Sequence, residues 1–367
     1  MKFVFASYVT IPDFKDPAAW LYRIRAYAGI HQALSVHHEV SSIEQIDYKG
    51  VHREKKVTYY FPGIAASRKY FPLTLHRYIK NLSPDVVIIH GLHYPFQVIQ
   101  LRRLLGKKVT VIVQHHAEKP FNGIRKYLQR WAEKSVDAYL FASAEIGHSW
   151  INNGNLVAAH KLKEVMELSS VFTPIDKSIA RFKTGVSGNR VFLWVGRLNT
   201  NKDPLNVIRA FMKFAVIQPD ARLYMIYHTT ELLKEIKDLL STYPDHRSII
   251  LTGQIPHEEL QCWYNSADFI LSGSHYEGSG TAICEAMSCG CVPVVTDIPS
   301  FRMITNNGAC GFLYEAGNEA ALVNVLLQTR KTDIAEKRRL SLAYFKSNLS
   351  FEAIAARIQT IAGLLVK

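Results

Sequence analysis

The stretch Ala267–Thr296 reads ADFILSGSHYEGSGTAICEAMSCGCVPVVT, and its pattern decides the fold of the region around it. Ala267–Gly273 is an apolar run with the length of a buried strand, and Cys291–Thr296 has the same character. Between them, Thr281–Gly290 contains residues that permit a helix and ends in a glycine, a usual helix stop. The stretch therefore predicts a strand, a glycine-bearing loop, a helix and a second strand.

Two glutamates stand eight positions apart in this unit. Glu277 falls in the loop, and Glu285 falls about one turn into the helix. The N–H groups of a first helical turn have no partner within the helix, and the helix dipole favours negative charge in front of them. The pattern predicts an anion site that Glu285 reaches from the side. The alternative is that both glutamates are solvated acids of a loop and a helix surface.

The alternation of strands and helices continues in both directions along the chain. Lys2–Tyr8 and Asp85–Gly91 read as strands of the first half, and Arg190–Gly196 restarts the pattern in the second half. Such alternation predicts α/β architecture with parallel, doubly wound sheets. Ligands of these sheets bind at the carboxyl ends of the strands. In the first half, those ends are the segments Val9–Lys15, His90–Tyr94 and Gln114–Glu118.

The stretch around the two glutamates resembles the Glu-x7-Glu signature of the retaining glycosyltransferases of family 4, which use nucleotide sugars. Glu-Gly-x-Gly at Glu277 and Glu-Ala-Met at Glu285 both match. The resemblance implies a GT-B fold, with two Rossmann-like domains facing a central cleft. We place the first domain at 1–175, the second at 186–347 and a helix that crosses back at 348–367, with an irregular linker between the domains.

A second element, GRLNTNKDP at Gly196–Pro204, holds Arg197 and Lys202 in a loop. Two such cations can clamp a diphosphate, since Arg binds bidentately and Lys adds a compact charge. A solvated basic loop is the alternative. The element resembles the Gly-Arg-x4-Lys motif of the same family, and this resemblance implies that Arg197 and Lys202 hold the phosphates of the donor.

The resemblance also implies roles for the other residues of the donor site. Glu285 would bind the ribose hydroxyls, and Glu277 would face the donor sugar. The remaining donor contacts would come from Gly196, from the base-binding loop and from the helix N-terminus, namely Gly253, Gln254, Ile255, Gly278, Ser279, Gly280 and Thr281.

In the first half, His116 ends a strand where the family usually places a histidine against the donor sugar, so we assign it a catalytic role. Candidates for the acceptor side are His93, His115, Asp16 and Trp20. A strand-end histidine can also be a hydrogen-bonded loop residue. The family often has a Gly-Gly loop where this chain has Asp13–Trp20, and a Gly-x-Gly-Pro loop where it has Ile226–Glu231, which leaves the roles of His228 and Thr229 open.

The formal net charge is +13, and residues 1–180 hold 24 Lys and Arg against 14 Asp and Glu. A basic first half suits an anionic or membrane-bound acceptor, whereas no motif for nucleic acid is present. Its basic runs are Arg53–Lys56, Arg68–Lys69, Arg102–Lys108 and Arg125–Arg130. The N-terminus reads as a strand rather than a signal peptide, and no apolar run is long enough to span a membrane, so we expect a cytoplasmic protein. Peripheral association with the inner face of the membrane stays open.

The five cysteines form no Cys-x2-Cys pair, which argues against a zinc site. The family that the chain resembles is generally metal-independent, so the resemblance implies no metal and no cofactor, a nucleotide-diphosphate sugar as donor substrate, and a glycan or lipid-linked acceptor as partner. The predicted reaction is retaining, metal-independent transfer of a hexosyl unit in the synthesis of a cell-surface glycan or glycolipid. The alternatives are an epimerase or phosphorylase of the same fold, or a sugar-nucleotide-binding protein without catalysis.

Overall fold

The computed structural model describes residues 1–63 and 71–366. The chain forms two compact units. The first comprises Met1–Ser169 and Phe351–Lys367, and the second comprises Ser170–Ser350. Each unit has its own sheet and its own apolar core.

The described residues of the first unit form an eight-stranded sheet. Its strands are β1 (Lys2–Ser7), β2 (Glu39–Ile43), β3 (Lys49–Glu54), β4 (Val57–Pro62), β5 (Val86–His90), β6 (Thr110–Gln114), β7 (Ala138–Phe141) and β8 (Leu162–Glu164). Their order is β3-β4-β2-β1-β5-β6-β7-β8, and β3 alone of these runs antiparallel to its neighbour. The central strands β1, β5 and β6 are buried on both faces, which explains why they read as continuous apolar runs.

Helices cover this sheet. They are α1 (Pro17–Arg23), α2 (Arg25–Leu34), α3 (Leu73–Asn81), α4 (Pro95–Leu105), α5 (Ile124–Ala132) and α6 (Ala144–Asn152), with single 3-10 turns at Glu133–Ser135 and Ala159–Lys161. The helix at Phe351–Leu365, called α15 below by its place in the chain, packs against α2. Its residues Ile354, Ile358 and Ile361 are buried, as the apolar stripe of an amphipathic helix requires.

The described residues of the second unit form a six-stranded parallel sheet. Its strands are β9 (Val191–Gly196), β10 (Arg222–Tyr227), β11 (Ile249–Gly253), β12 (Phe269–Ser272), β13 (Val292–Thr296) and β14 (Phe312–Tyr314). Their order, β11-β10-β9-β12-β13-β14, is that of a doubly wound dinucleotide-binding fold. Phe192, Phe211 and Phe269 lie in its core.

The helices of the second unit are α7 (Lys177–Thr184), α8 (Pro204–Ile217), α9 (Leu233–Ser241), α10 (Leu260–Ser266), α11 (Thr281–Ser288), α12 (Pro299–Ile304), α13 (Glu319–Thr329) and α14 (Ile334–Tyr344). A π-helical turn, Phe345–Leu349, follows α14, and 3-10 turns lie at Thr200–Lys202 and His257–Glu259. The predicted α/β fold with two doubly wound parallel sheets is confirmed.

Two local features differ from the expectation from sequence. The segment predicted as an irregular linker contains α7, which packs against α10. Asp176 caps this helix by accepting hydrogen bonds from the N–H groups of Ser178 (2.8 Å) and Ile179 (3.1 Å). The edge strand β3 was not predicted, because its sequence KGVHRE is charged and lacks an apolar run.

Candidate active site

The strand order of the second sheet fixes where its ligand can bind. The chain runs outward from β9 in one direction through β10 and β11, and in the other through β12, β13 and β14. β9 and β12 are neighbours at this reversal of direction. The crevice beyond the carboxyl ends of two such strands is the usual ligand site of a doubly wound sheet. The loops that start at Gly196 and Gly273 therefore define the site.

Asn201 joins these two loops. Its side-chain amide donates to the carbonyl oxygen of Tyr276 (3.0 Å) and accepts from the N–H of the same residue (3.1 Å). Its own carbonyl oxygen accepts from the N–H of His275 (2.8 Å). Sequence reasoning missed this residue, since it lies inside the variable part of the Gly-Arg-x4-Lys motif. The three bonds hold the loop of Lys202 beside the loop of Glu277.

Gly273 makes the close approach of the loops possible. A Cβ at this position would lie 2.9 Å from Cγ2 of Val207 and 3.1 Å from the carbonyl oxygen of Lys202. Contacts this short force the neighbouring backbone to move. A glycine is therefore required at the end of β12 for Lys202 to stay where it is.

We expect Gly273→Ala to lower the free energy of unfolding by about 1–3 kcal/mol through overpacking. The measurement is urea denaturation followed by circular dichroism. The matched control is Gly363→Ala in α15, where a Cβ meets nothing within 4 Å. Alanine favours a helix over glycine by about 1 kcal/mol, so the control should gain stability. Equal stability in the two variants would show that the loops do not need the close approach.

Lys202 and Glu277 form an ion pair in which the ammonium group donates to Oε1 of the carboxylate. Both side chains are largely buried, 24% and 15% exposed respectively. Arg197 lies just after β9 with an exposed side chain. The structure thus brings the predicted phosphate-binding lysine into contact with the predicted catalytic glutamate and leaves the arginine open to solvent.

The N-terminus of α11 completes this edge of the site. Gly280 is the N-cap residue and has left-handed backbone angles (φ 68°, ψ 55°), which glycine adopts without strain. Gly278 and Ser279 before it are buried, whereas Thr281 is exposed. Within the described chain, no side chain caps this helix. The N–H of Ile283 donates to the carbonyl oxygen of Gly280 (3.0 Å), which leaves the N–H groups of Thr281 and Ala282 in the first turn for an anionic ligand.

Glu285 is buried in α11 and has two side-chain partners. His257 Nε2 lies 2.7 Å from its Oε1, and the hydroxyl of Tyr264 donates to its Oε2 at 3.0 Å. Burial raises the pKa of Tyr264 well above its usual value, as does the charge of Glu285, so the phenol stays protonated and can donate. The ring of Phe172 stacks on His257 with a centroid distance of 4.9 Å. Sequence reasoning missed His257, whose only signal was its position just after the predicted base-binding loop.

The remaining predicted donor residues follow β11. Gly253 ends this strand with a positive φ of 81°, Gln254 is exposed and Ile255 is half-buried. Of the two residues with open roles, Thr229 is structural, because its Oγ1 accepts from the N–H of Leu198 (2.8 Å). His228 is exposed.

The first sheet has its own reversal of direction, between β1 and β5, and a pocket of about 420 Å³ lies at the carboxyl ends of these strands. It is lined by Ala6, Ser7, Val9, Ile11, Trp20, Tyr27, Glu44, Gln45, His90, Gly91, His93, Tyr94, His116 and Glu118. The predicted residues Trp20, His93 and His116 thus share one pocket. Glu118, from the predicted strand-end segment Gln114–Glu118, also lines it, as do Tyr27 and Glu44, which were not predicted.

His116 belongs to a pair of histidines in this pocket. Its Nδ1 lies 2.6 Å from Oε2 of Glu167, and its Nε2 lies 2.7 Å from Nδ1 of His90. Burial lowers the pKa of His116, but the charge and hydrogen bond of Glu167 outweigh it, and the net pKa is raised. Burial, with the charge of His116, lowers the pKa of His90 well below its usual value. Nδ1 of His116 therefore donates to the carboxylate of Glu167, and the facing nitrogens of His116 and His90 share one proton between them.

Two predicted acceptor-side residues lie outside the pocket. His115 is fully buried against Phe141 and Trp150, with Nε2 2.9 Å from the carbonyl oxygen of Glu118. Asp16 is exposed and caps α1 by accepting from the N–H of Ala19 (2.8 Å). These contacts are structural, and the assignment of both residues to the acceptor side stays a prediction.

Within residues 1–63 and 71–366, no group of three or more His, Cys, Asp or Glu is placed to hold a metal ion. The described helices include none that is both long and apolar enough to cross a membrane.

Comparison with known proteins shows what this chain resembles. Residues 176–341 match the family model of the glycosyl transferases group 1. The chain is 23% identical over 335 residues to a GDP-mannose:cellobiosyl-diphosphopolyprenol alpha-mannosyltransferase of Xanthomonas campestris, covering 90% of this chain and 80% of that protein. It is 22% identical over 278 residues to the lipopolysaccharide core biosynthesis mannosyltransferase LpsB of Rhizobium meliloti, covering 73% of this chain and 76% of that protein.

Among solved structures, HepE from Anabaena in complex with UDP superposes with a TM-score of 0.73 at 15% identity, covering 99% of this chain and 100% of that one. This likeness shows the fold. Together, the comparisons support a glycosyltransferase with the GT-B fold. They lend no support to an epimerase or a phosphorylase.

Proposed function

We propose that this chain is a retaining, metal-independent glycosyltransferase of family 4. It moves a hexosyl unit from a nucleotide-diphosphate sugar to an acceptor hydroxyl in the synthesis of a cell-surface glycan or glycolipid. The observation that carries the proposal is the ion pair between Lys202 and Glu277 beside the open N-terminus of α11. A cation, a carboxylate and free N–H groups meet there, at the place where a doubly wound sheet binds nucleotides.

The site suits the departure of a nucleoside diphosphate. In the reaction, the bond from the anomeric carbon to the phosphate oxygen breaks, and the acceptor oxygen bonds to the same carbon on the same face. The acceptor proton passes to the leaving phosphate oxygen. Negative charge grows on that phosphate, where Lys202, Arg197 and the first turn of α11 stabilise it. These groups supply the positive charge that a metal ion supplies in other transferases.

Glu285 suits the ribose of the donor. A carboxylate has about four acceptor sites, and the bonds to His257 and Tyr264 occupy two of them. The remaining sites can accept from two ribose hydroxyls. The two partners fix the orientation of the carboxylate before the nucleotide arrives, which lowers the entropy cost of binding.

The names of the relatives indicate which classes of donor and acceptor to propose for this chain. The Xanthomonas protein is named for a GDP-mannose donor and a diphosphopolyprenol acceptor, and HepE was solved with UDP. We therefore propose a UDP- or GDP-linked hexose as donor and a glycan or lipid-linked acceptor. No nucleic-acid partner and no cofactor are proposed.

A transfer assay on the full chain tests this function. The protein is incubated with UDP- and GDP-hexoses and a sugar diphosphate lipid as acceptor, and the products are followed by NMR. We expect release of the nucleoside diphosphate to require the acceptor, to persist in EDTA and to give a linkage with the anomeric configuration of the donor. Conversion of the nucleotide sugar without acceptor, or a requirement for inorganic phosphate, would contradict the proposal.

One face of the first unit suits an anionic membrane, in keeping with a lipid-linked acceptor. On α5, the apolar side chains of Ile124, Tyr127 and Trp131 are 85%, 66% and 49% exposed, beside the exposed Arg125 and Arg130. Exposed aromatic and basic residues on one helix favour an anionic lipid interface. We propose peripheral binding through α5, on the cytoplasmic face of the membrane.

Of the other basic runs in the sequence, one has an arginine that is held inside the first unit, and another lies outside the described residues. Arg102 is committed inside the first unit, where its guanidinium donates to the carbonyl oxygens of Ser135 (2.9 Å) and Val109 (2.6 Å) and pairs with Asp137. It is therefore not available to lipid. Arg68–Lys69 lies outside the described residues.

We expect the protein to co-sediment with vesicles that contain anionic lipid and not with neutral vesicles. Binding should fade between 0.1 M and 1 M salt, as the screening length falls from about 10 Å to about 3 Å. Arg125→Gln combined with Arg130→Gln should weaken it, since each basic residue at the surface contributes about 1 kcal/mol. The matched control removes the exposed Lys234 and Lys237 of α9. Equal loss in both double variants would reject α5 as the contact.

A further inference from the structure

The lining of the pocket of the first unit carries acidic side chains, although the first half of the chain is basic overall. Residues 1–180 hold 24 Lys and Arg against 14 Asp and Glu. Yet among the described residues that line the pocket, no Lys or Arg is present, and two are glutamates, Glu44 and Glu118. A phosphate group in this pocket would meet two carboxyl groups and no Lys or Arg of the described lining, and His116 is already paired with Glu167.

Both glutamates are fixed in place. Glu118 accepts from the N–H groups of Leu92 (2.8 Å) and His116 (2.6 Å). Glu44 is 6% exposed and accepts from the hydroxyl of Ser42 (2.6 Å) and the indole N–H of Trp20 (3.0 Å), with the hydroxyl of Tyr27 as a further donor. Burial raises the pKa of Glu44. Its three donors leave about one of the four acceptor sites of the carboxyl group for a ligand.

Aromatic rings form another part of the wall. Trp20, Tyr94 and His93 all line the pocket. The ring of Trp20 is held from two directions, by its N–H bond to Glu44 and by an edge contact with Phe14 at a centroid distance of 5.1 Å. A rigid aromatic surface beside oriented hydrogen-bonding groups is how pockets for small polar ligands combine affinity with specificity.

We propose that this pocket binds a neutral sugar ring of the acceptor. A hydroxyl of the ring donates to the carboxyl group of Glu44, and the apolar face of the ring lies against Trp20. Any anionic group of the acceptor, such as a lipid diphosphate, stays outside the pocket. The inference rests on the proposed function and deepens it, because it names the part of the acceptor that the first unit recognises.

The test measures binding of free sugars to the full chain in the absence of donor. Probes are methyl α-mannoside and cellobiose as neutral rings, glucuronate as an anionic ring and inorganic pyrophosphate. Saturation-transfer NMR and tryptophan fluorescence report binding. Variants are Glu44→Gln and Trp20→Ala, and the control is Glu39→Gln, an exposed glutamate at the start of β2 whose partner is Lys2.

We expect the neutral rings to bind better than glucuronate and pyrophosphate. Glu44→Gln should weaken binding of the neutral rings about tenfold, as expected for a lost hydrogen bond to a carboxyl group. Glu39→Gln should leave it unchanged. Thermal unfolding of each variant verifies folding, and Trp20→Phe, which keeps a ring but loses the N–H, serves if Glu44→Gln does not fold.

Other results would contradict the proposal or assign the pocket to a different ligand. Preferred binding of glucuronate or pyrophosphate, or binding of neutral rings that survives both Glu44→Gln and Trp20→Ala, would overturn the proposal. The donor sugar is another neutral ring, and an equal loss of affinity for the nucleotide sugar in Glu44→Gln would assign the pocket to the donor instead. Failure of the proposed function is a separate outcome, since it would appear as absent binding of every nucleotide sugar to the wild-type chain.

Discussion

Lys202→Ala and Arg197→Ala should each lower kcat/KM for the nucleotide sugar by about tenfold or more, a loss of about 1.4 kcal/mol in transition-state stabilisation. In the proposed reaction, both cations stabilise the charge that grows on the departing diphosphate. We expect the larger loss for Lys202→Ala, because it also leaves the largely buried carboxylate of Glu277 without its cation.

Steady-state kinetics with the donor varied at saturating acceptor make this measurement. Lys234→Ala on the surface of α9 is the matched control and should behave like the wild type. Lys202→Arg keeps the charge but changes its shape, so it should recover part of the activity lost in Lys202→Ala. Near wild-type kinetics in both alanine variants would remove the diphosphate assignment.

The second large effect separates the two glutamates. Glu285→Ala should weaken binding of free nucleoside diphosphate by about tenfold or more, since hydrogen bonds to a charged group contribute about 1.5–3 kcal/mol each. Glu277→Ala should keep that affinity and lower kcat by about a hundredfold, because in the proposed site Glu277 faces the reacting sugar. Isothermal titration calorimetry gives the affinities, and single-turnover kinetics give the chemical step.

Glu285→Ala also removes the partner of the Tyr264 hydroxyl, which is buried. An unsatisfied buried hydroxyl costs about 1–3 kcal/mol of stability, so thermal unfolding must accompany the calorimetry. Tyr264→Phe combined with Glu285→Ala removes both polar groups and isolates the binding effect. The same loss of nucleotide affinity in Glu277→Ala and Glu285→Ala would reject the division of roles.

Much of the fold follows from the sequence because parallel strands buried on both faces leave a clear signal. Val86–His90 and Val292–Thr296 are short apolar runs, and each falls on a strand of the structure. The signal fails where burial is incomplete. β3 is an exposed, charged edge strand, and α7 is a short helix whose start depends on a cap at Asp176 rather than on apolar periodicity.

The residues of the candidate site also fall into two groups, those that sequence motifs predicted and those that only the structure reveals. The motifs indicated Lys202 and Glu277, and the structure brings the two side chains into contact. Asn201 and His257 could not be found from sequence, because their importance lies in hydrogen bonds to distant residues. The pair His115 and His116 shows the limit most plainly. The two residues are adjacent just after β6, and only the structure shows that His116 reaches the pocket while His115 is buried.

The most direct test of the central claim is a crystal structure of the full chain with a nucleotide-diphosphate sugar that cannot be transferred, such as a 2-fluoro sugar. The account predicts the diphosphate within hydrogen-bonding distance of Lys202, Arg197 and the first N–H groups of α11, and the ribose hydroxyls on Glu285. A nucleotide bound elsewhere, or a diphosphate without contact to Lys202 and the N-terminus of α11, would contradict it.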